Sequence, residues 1–422
     1  MGRGRLALVA VWFAACANAQ DAPFPTFRAE VVNAEAGTGL AITVADINSD
    51  GRPDIVGVSS KDVYWYENPD WTPHLIADTL KNSNVCVAAH DLNGDGTPEL
   101  AVGADWQFNN TESGGALFLL HAGDDVRKPW NVVTLLDEEP TLHRIRWADV
   151  DGDGPKELIV APLKGVGSTP PNFDDQPVKL FLLRPDAEDP FKAPWTEELI
   201  RSRRNVTHVM HNIWPRRDPS GKDVIYSASY EGISTFKRDR RGRWRSGVFV
   251  EGNPELIPRS GAGEIKTSAP GTSSEEGAPP YINSTRLATI EPWHGNQAVV
   301  YAYEPGGFKR YVLDDSLRSG HAVGWADFDR DGQDEVLVGY RDKAPPGNKA
   351  GLQIYDLHSA TDWKQGEPTI TDWTKHIIDD GGMATEDALA ADMNGDGWPD
   401  VVAFGRATHN IKYYENMGLE SK

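Results

Sequence analysis

The chain has 422 residues and a formal net charge of −21. This acidity argues against nucleic acid or an anionic membrane as a partner. The length suits two or three ordinary domains, although an array of repeats can use all of it in one. The 14 Trp and 12 Tyr residues supply aromatic faces that suit a sugar ligand as well as a core.

The first residues predict a secretory signal peptide over positions 1–19. Arg3 and Arg5 precede the apolar stretch from Leu6 to Cys16, and small residues follow up to Ala19. The stretch is too short to span a bilayer. We therefore expect a secreted, extracellular protein that has only Cys86 left and so no intrachain disulfide. Sequons at Asn109, Asn205 and Asn283 are compatible with a glycoprotein.

Five stretches repeat one short acidic pattern, first seen in Asp46-Ile-Asn48-Ser-Asp50-Gly51-Arg-Pro-Asp54. Oxygen side chains stand at positions 1, 3, 5 and 9 and glycine at position 6, as in the front part of an EF-hand loop. Each stretch runs into an apolar β-type segment, which excludes a helix-loop-helix. We expect structural Ca²⁺ at Asp46, Asn48, Asp50, Asp54, Asp91, Asn93, Asp95, Glu99, Asp149, Asp151, Asp153, Glu157, Asp327, Asp329, Asp331, Glu335, Asp392, Asn394, Asp396 and Asp400.

The loops lack the bidentate Glu of an EF-hand at position 12, so the predicted calcium affinity is modest. Turns held by hydrogen bonds alone, without an ion, are the alternative. In either case a structural function is expected, because these loops join first to second strands on the face away from the predicted site.

Alignment on the acidic loops gives a unit of four strands, which is typical of a β-propeller blade. Two further units, from His208 and from Gly261, keep the strands but not the loop, so the sequence predicts an all-β, seven-bladed β-propeller over residues 20–422. The last unit has three strands, and Phe27–Val32 is expected to supply its outer strand and close the ring. An open solenoid is the competing architecture.

Several histidines and acids fall at equivalent places on the inner strands. Counting back six residues from the first Asp of each loop gives Leu40, Val85, His143, His321 and Glu386. His208 is the expected fourth-blade equivalent, with His211 as its substitute, and Glu264 the fifth-blade one. Imidazoles and carboxylates that converge on the ring axis would suit zinc or another divalent ion. The set predicted for this axial site is His143, His208, His321, Glu386 and Glu264.

The loops on the same face add aromatic, cationic and polar groups. Together they predict a pocket with local positive charge, which fits an anionic or carbonyl-bearing sugar. The residues expected to bind substrate are Trp106, His211, Trp293, Arg341, Arg406, His409 and Asn410.

The repeats resemble the FG-GAP or VCBS repeats of integrin-type propellers over nearly the whole mature chain. A closer resemblance lies in the segments that begin at His143, at Glu291 and at Gly405: His143-Arg-Ile-Arg-Trp-Ala-Asp, Glu291-Pro-Trp-His294-Gly and Gly405-Arg406-Ala-Thr-His409-Asn410. They are similar to the propeller part of fungal aldos-2-ulose dehydratases and to fungal L-rhamnose-α-1,4-D-glucuronate lyases. The dehydratases have cupin domains after the propeller, which this sequence does not show, so the lyase branch is favoured.

The resemblance implies a sugar-active enzyme that removes a proton next to a carbonyl or carboxylate and then expels a β-oxygen. We expect His143, His208 and His321 to hold a divalent ion or act at the proton, His294 to be base or acid, and Arg146, Arg341 and Arg406 to neutralise the carboxylate. The alternatives are an aldos-2-ulose dehydratase and a non-catalytic carbohydrate-binding or adhesion propeller. The oligomeric state and the sugar are left open.

Overall fold

A computed structural model describes residues 23–200, 206–269, 286–304, 306–341, 350–361 and 368–419, without the side chains of 359–361, 368 and 369. The predicted leader at 1–19 and the sequons at Asn205 and Asn283 lie outside these ranges. Among the described residues no helix has the length and hydropathy needed to cross a bilayer.

The described residues form short β-strands, in chain order. They are β1 (Phe27–Asn33), β2 (Gly39–Ala45), β3 (Asp54–Ser59), β4 (Val63–Glu67), β5 (Thr72–Ala77), β6 (Cys86–His90), β7 (Glu99–Ala104), β8 (Ala116–His121), β9 (Asn131–Leu136), β10 (Leu142–Ala148), β11 (Glu157–Pro162), β12 (Phe181–Arg184), β13 (Thr196–Leu199), β14 (Asn212–Arg217) and β15 (Asp223–Ser229). They continue with β16 (Gly232–Arg238), β17 (Trp244–Val250), β18 (Asn253–Pro254), β19 (Ser260–Gly261), β20 (Glu264–Thr267), β21 (Leu287–Glu291), β22 (Gln297–Glu304), β23 (Gly307–Asp314), β24 (Gly320–Ala326), β25 (Glu335–Tyr340), β26 (Gly351–Thr361), β27 (Pro368–Asp380), β28 (Thr385–Ala391), β29 (Asp400–Gly405) and β30 (Ile411–Asn416).

These strands build seven antiparallel four-stranded blades, as predicted. Blades 1 to 4 are β2–β5, β6–β9, β10–β13 and β14–β17, blades 5 and 6 are β20–β23 and β24–β27, and β18 and β19 form a small hairpin between blades 4 and 5. Blade 7 has the order β28, β29, β30, β1, so the N-terminal strand is its outer strand. β1 runs antiparallel to β30 from Phe27 opposite Asn416 to Asn33 opposite Ile411, which confirms the predicted closure.

The second strand of each blade lies between the first and the third strand and is largely buried. All residues of β3, β7, β11 and β29 are buried, and apolar residues dominate these strands because both faces are covered by neighbouring blades. Between blades 1 and 2, for example, Val56 and Trp65 pack in one cluster with Val102 and Phe118. The core is therefore divided among the contacts between successive blades.

Each inner strand has a β-bulge at its start. In β2, β10, β24 and β28 the pairing skips one residue near the strand start, namely Leu40, His143, His321 and Glu386. In blades 2, 4 and 5 the equivalent residues are Val85, His211 and Gly263. The backbone amide of each donates to the residue of the second strand that is paired with the following residue of the inner strand. A bulge re-aims the side chain that it carries, so these seven bulge residues define one ring of equivalent positions.

The closing strand offers a test of ring closure with single substitutions. The Phe27 ring packs edge-on against Phe328 of blade 6 at 5.9 Å, whereas Val31 is 54% exposed. We expect Phe27→Ala to lower the melting temperature by roughly 2–3 °C, equivalent to about 2 kcal/mol in a chain of this size. Val31→Ala on the same strand is the control and should shift it by less than about 1 °C. Equal shifts in a calorimetric scan would contradict the assignment of Phe27 as an anchor.

Candidate functional site

A cavity of about 340 Å³ lies at the ring axis, on the face where the inner strands begin. Five of the bulge residues line it, and loops between second and third strands form its upper wall. The lining residues are Leu40, Val85, Trp106, Phe108, His143, Arg144, Leu163, Trp293, His294, His321, Arg341, Glu386 and Arg406. The structure thus brings together side chains from six of the seven blades.

Three bulge imidazoles are oriented by the neighbouring blade. His143 Nδ1 bonds to the backbone oxygen of His211 at 3.0 Å, His211 Nδ1 to that of Gly263 at 2.8 Å, and His321 Nδ1 to that of Glu386. A carbonyl only accepts, so each Nδ1 must carry the proton. Each Nε2 is then an unprotonated lone pair, which is the atom needed for a base or a metal ligand.

His294 has the opposite tautomer. Its Nδ1 accepts a hydrogen bond from Arg341 Nη2 at 3.2 Å, and its Nε2 lies 3.1 Å from His211 Nε2. Since Arg341 can only donate, the proton of His294 is on Nε2 and is donated to His211. His143 Nε2 has a donor too, Arg144 Nη1 at 3.3 Å. Among the four imidazoles, His321 therefore keeps an Nε2 lone pair to which no donor from the described residues bonds.

All four imidazoles are held neutral. Burial lowers the pKa of His143, His211, His294 and His321 well below the usual 6.5, and nearby guanidinium groups or other imidazoles lower it further. For His321 the largest effect after burial is the charge of Arg341. At neutral pH these side chains are therefore uncharged, and His321 has the Nε2 lone pair free to accept a proton or to ligate a cation.

Glu386 holds two arginines over the cavity. Its Oε2 is 2.7 Å from Arg341 Nη1 and its Oε1 is 2.7 Å from Arg406 Nη1. The same Oε1 is 3.7 Å from His321 Nε2, close enough to stabilise that imidazole once it is protonated. One carboxylate and two guanidinium groups leave a net positive charge that faces the cavity.

Another part of the cavity wall is aromatic. Phe108 stacks on Trp293 with 6.0 Å between ring centroids and meets Trp106 edge-on at 5.9 Å. Trp293 is next to His294, with centroids 4.8 Å apart. The cavity therefore has a cationic side from blades 6 and 7 and an apolar side from blades 2 and 5.

Below the bulge residues the axis is lined with charge. Five charged residues lie on inner strands of blades 3, 5 and 7: Arg144, Arg146, Glu264, Lys266 and Asp387. Arg146, Lys266 and Asp387 are partly exposed, whereas Arg144 and Glu264 are buried. Burial raises the pKa of Glu264 and Asp387, while burial and the charge of Arg146 lower that of Lys266 to about 8. Glu264 Oε1 is 2.9 Å from His211 Nδ1.

Two predicted members of the axial ring are placed wrongly by sequence counting. His208 pairs with Glu231, with Nδ1 2.8 Å from Oε1, and His211 occupies the bulge position instead. In blade 5 the bulge position belongs to Gly263, and Glu264 lies one residue further along the strand. Both errors fall in blades without the acidic loop, so the sequence has no landmark from which to count.

Other predicted residues lie outside the cavity lining. Arg146 lies further along the axis, His409 is exposed, and Asn410 bonds to the backbone of Gly382 at 3.0 Å. Arg144 and Phe108 line the cavity but were not predicted. The bulge could have indicated Arg144, because it directs two successive residues toward one side, whereas nothing in the sequence distinguishes Phe108 from other loop aromatics.

The acidic loops lie on the opposite face and share one pattern of hydrogen bonds. The glycine at position 6 has positive φ, for example +87° at Gly51, and donates its amide to the first Asp at 2.9 Å. The acid at position 9 accepts the amide of position 2 in all five loops. Burial raises the pKa of Asp54 and Asp400 to about 6 and that of Glu99 to about 7.

Two loops differ in how their charge is balanced. In blade 3, Arg184 lies 2.8 Å from Asp151 and also pairs with Glu157, while Arg217 lies 2.9 Å from Asp149. In blade 6, ligand atoms of Asp327, Asp329, Asp331 and Glu335 all lie within 4.8 Å of one another, and burial raises the pKa of Glu335 to about 10. The charges of Glu335 and Asp331 also act on the guanidinium of Arg286.

Comparison with known proteins agrees with the fold. The FG-GAP-like repeat model matches residues 46–102 and the FG-GAP repeat model residues 87–120. The chain is 24% identical to aldos-2-ulose dehydratase of Phanerodontia chrysosporium over 84% of its own length and 42% of that protein. A chain in the crystal structure of BBS1N in complex with ARL6DN is similar, with a TM-score of 0.52, 12% identity and coverage of 94% of this chain and 99% of that one. The last similarity concerns the fold alone.

Removal of one guanidinium should change the titration of the site. We expect Arg341→Gln to raise the pKa of His321, because the charge that opposes its protonation is lost. Titration of the imidazole C2–H signals by NMR from pH 8 to pH 5 would measure this, with the His321 signal identified in a His321→Gln variant. The surface variant Arg240→Gln is the control. A His321 signal that titrates near pH 6.5 in the unmodified protein would contradict the geometry.

Proposed function

We propose that this chain, which carries FG-GAP repeats on a seven-bladed β-propeller, is a carbon–oxygen lyase that cleaves L-rhamnose-α-1,4-D-glucuronate ends by β-elimination. The observation that carries the proposal is the asymmetric cavity, in which neutral imidazoles lie between an arginine pair and an aromatic wall. A uronate offers a carboxylate to Arg341 and Arg406, and a deoxy-sugar offers a methyl group to the aromatic side. The similarity to a dehydratase supports elimination chemistry.

In the proposed reaction His321 is the base. Its Nε2 takes the proton from C5 of the glucuronate, the C5–H electrons form the C4=C5 double bond, and the C4–O4 bond breaks. In the sugar chair H5 and O4 lie on the same side, so the imidazolium can return its proton to the departing oxygen. Rhamnose leaves with that oxygen, and an unsaturated uronate remains.

The proposed roles of the other groups follow from charge. Arg341 and Arg406 stabilise the negative charge that develops on the carboxylate when C5 loses its proton. Glu386, 3.7 Å from His321 Nε2, stabilises the transient imidazolium. His294 and His211 fix the position of Arg341 through the chain of hydrogen bonds that joins the three side chains.

The histidine cluster also fits a divalent metal. Ligand atoms of His211, His294 and His321 lie within 4.8 Å of one another, and neutral imidazoles suit zinc or a related ion. We propose these three, in place of the set expected from sequence, as the residues that would hold it. His321 Nε2 would then be a ligand and no longer the base. When bound, the ion would supply Lewis-acid stabilisation of the substrate oxygen.

Dehydration of an aldos-2-ulose is the second candidate, and the similarity to aldos-2-ulose dehydratase favours it. The chain spans 42% of that protein, so its activity carries over only as a proposal. Both reactions require a base next to an activated C–H bond. A neutral ketose, however, would leave the pair of arginines without a carboxylate to bind.

We further propose that the protein is secreted and that calcium supports the acidic loops. The blade 6 group fits Ca²⁺ best, because oxygen ligands from four acids converge there, and burial together with repulsion from neighbouring acids opposes ionisation of Glu335. In blade 3, Arg184 and Arg217 already supply positive charge. Cation dependence is therefore expected to differ between blades with the same sequence pattern.

Substrate assays would test the proposed reaction. Incubation with arabinogalactan capped by rhamnosyl glucuronate should release rhamnose and raise absorbance near 235 nm, as expected for a conjugated unsaturated uronate. His321→Ala should lower kcat by roughly 10³-fold, since the base is lost, whereas His208→Ala, which lies outside the cavity, should change it less than about twofold. Loss of water from 1,5-anhydrofructose without rhamnose release would select the dehydratase. Sugar binding without any product would favour the non-catalytic alternative.

Calcium should stabilise the fold more at high pH than at low pH. Folding raises the pKa of carboxyl groups in the acidic loops, so their protonated form stabilises the fold at a pH below the pKa of the unfolded chain. This contribution is lost as the pH rises through their pKa in the folded protein, which lies between about 6 and about 10. Calcium replaces the lost protons, so calorimetry should show a rise in melting temperature of roughly 3 °C at saturating Ca²⁺ and pH 8, and a smaller one at pH 5.

A pair of matched variants locates the effect. Asp329→Asn in blade 6 should reduce the calcium increment, and Asp151→Asn in the arginine-balanced loop of blade 3 should leave most of it. The proposal fails if Ca²⁺ stabilises equally at both pH values, or if only the blade 3 variant responds.

A further inference from the structure

One buried cation takes no part in the proposed chemistry. Lys164, in the loop after β11, is 1% exposed, and burial lowers its pKa to about 8, so it is mainly protonated at neutral pH. Its Nζ lies 3.6 Å from the ring centroid of Phe108 and 3.4 Å from that of Phe173. It also donates a hydrogen bond to the backbone oxygen of Phe108.

Among the described residues Lys164 has no carboxylate within ion-pair distance, so two aromatic faces and one carbonyl hold its charge. A buried charge with such partners is stabilised only while those groups stay in place. The contacts are therefore mutual: the rings solvate the ammonium group, and the ammonium group fixes the rings.

The lysine joins two loops on the cavity face. Phe108 belongs to the blade 2 loop, and Phe173 to the blade 3 loop. Near them Gly167 donates its amide to the oxygen of Thr111 at 3.0 Å, and Thr111 Oγ1 donates to the oxygen of Ser168 at 2.9 Å. Phe108 is 39% exposed, and its ring also meets the buried Phe173 ring edge-on at 6.4 Å.

A role for Lys164 as a nucleophile does not fit this geometry. A lysine with a lowered pKa in an apolar pocket is the type that forms imines with carbonyl substrates. Here, however, the Phe108 and Phe173 rings cover the Nζ atom, and Lys164 is absent from the cavity lining whereas Phe108 is part of it.

We propose that Lys164 is a positioning residue that holds Phe108 against Trp293 and so maintains the aromatic wall that contacts the leaving sugar. This inference deepens the proposed function and depends on it for the identity of the sugar. Phe108 comes from blade 2 whereas Arg341 and Arg406 come from blades 6 and 7, so its displacement should weaken binding of the uncharged sugar and leave the carboxylate contacts in place.

Steady-state kinetics of matched lysine variants would test the proposal. Lys164→Met, which keeps length and removes charge, should raise KM for the rhamnosyl glucuronate substrate roughly tenfold and change kcat less than about twofold. Phe108→Ala should do the same, and the double variant should be no worse than either single one. Lys179→Met is the control, since Lys179 lies 4.1 Å from the Phe181 ring and lines no part of the cavity.

Other outcomes would overturn it: additive effects in the double variant, a fall in kcat at unchanged KM, or a borohydride-trapped adduct on Lys164. If Lys164→Met does not fold, Phe173→Leu removes one of the two rings and should raise KM in the same way. A crystal structure of the lysine variant supplies a readout that needs no turnover. An unmoved Phe108 there refutes the positioning role, whereas absence of activity in the unmodified protein refutes only the proposed function.

Discussion

The site depends on hydrogen bonds between blades at the ring axis. Each bulge imidazole donates a hydrogen bond from Nδ1 to the backbone oxygen of the next bulge residue. These bonds run from His143 to His211, from His211 to Gly263 and from His321 to Glu386. One contact thus sets the tautomer, orients the ring and joins adjacent blades. Because backbone carbonyls accept these bonds, the arrangement depends on the ring being closed and in register more than on the side chains of the neighbours.

The two sides of the cavity explain why neutral imidazoles persist beside so much charge. Glu386 balances part of the charge of Arg341 and Arg406, but burial and the remaining positive potential keep the imidazoles unprotonated. On the other side, aromatic rings exclude water and add no charge. The base proposed for this site is kept uncharged by burial and by the positive charge of Arg341, which distinguishes it from the paired acids of glycoside hydrolases.

Much of the fold could be predicted because the acidic loops mark equal positions in five blades. The count from those loops found Leu40, Val85, His143, His321 and Glu386, which are all bulge residues. In blades 4 and 5 the loop is missing, and there the count failed by a few residues. Phe108 could not be found, because its importance comes from contacts between loops of different blades, which local sequence does not encode.

The charged lining beneath the imidazoles gives the ring a second polar end. Arg146, Lys266 and Asp387 are partly exposed at the axis, so the space below the imidazoles is lined by polar groups. The titratable groups of the ring axis are therefore not confined to the cavity wall, since Arg146, Lys266 and Asp387 line no part of the cavity.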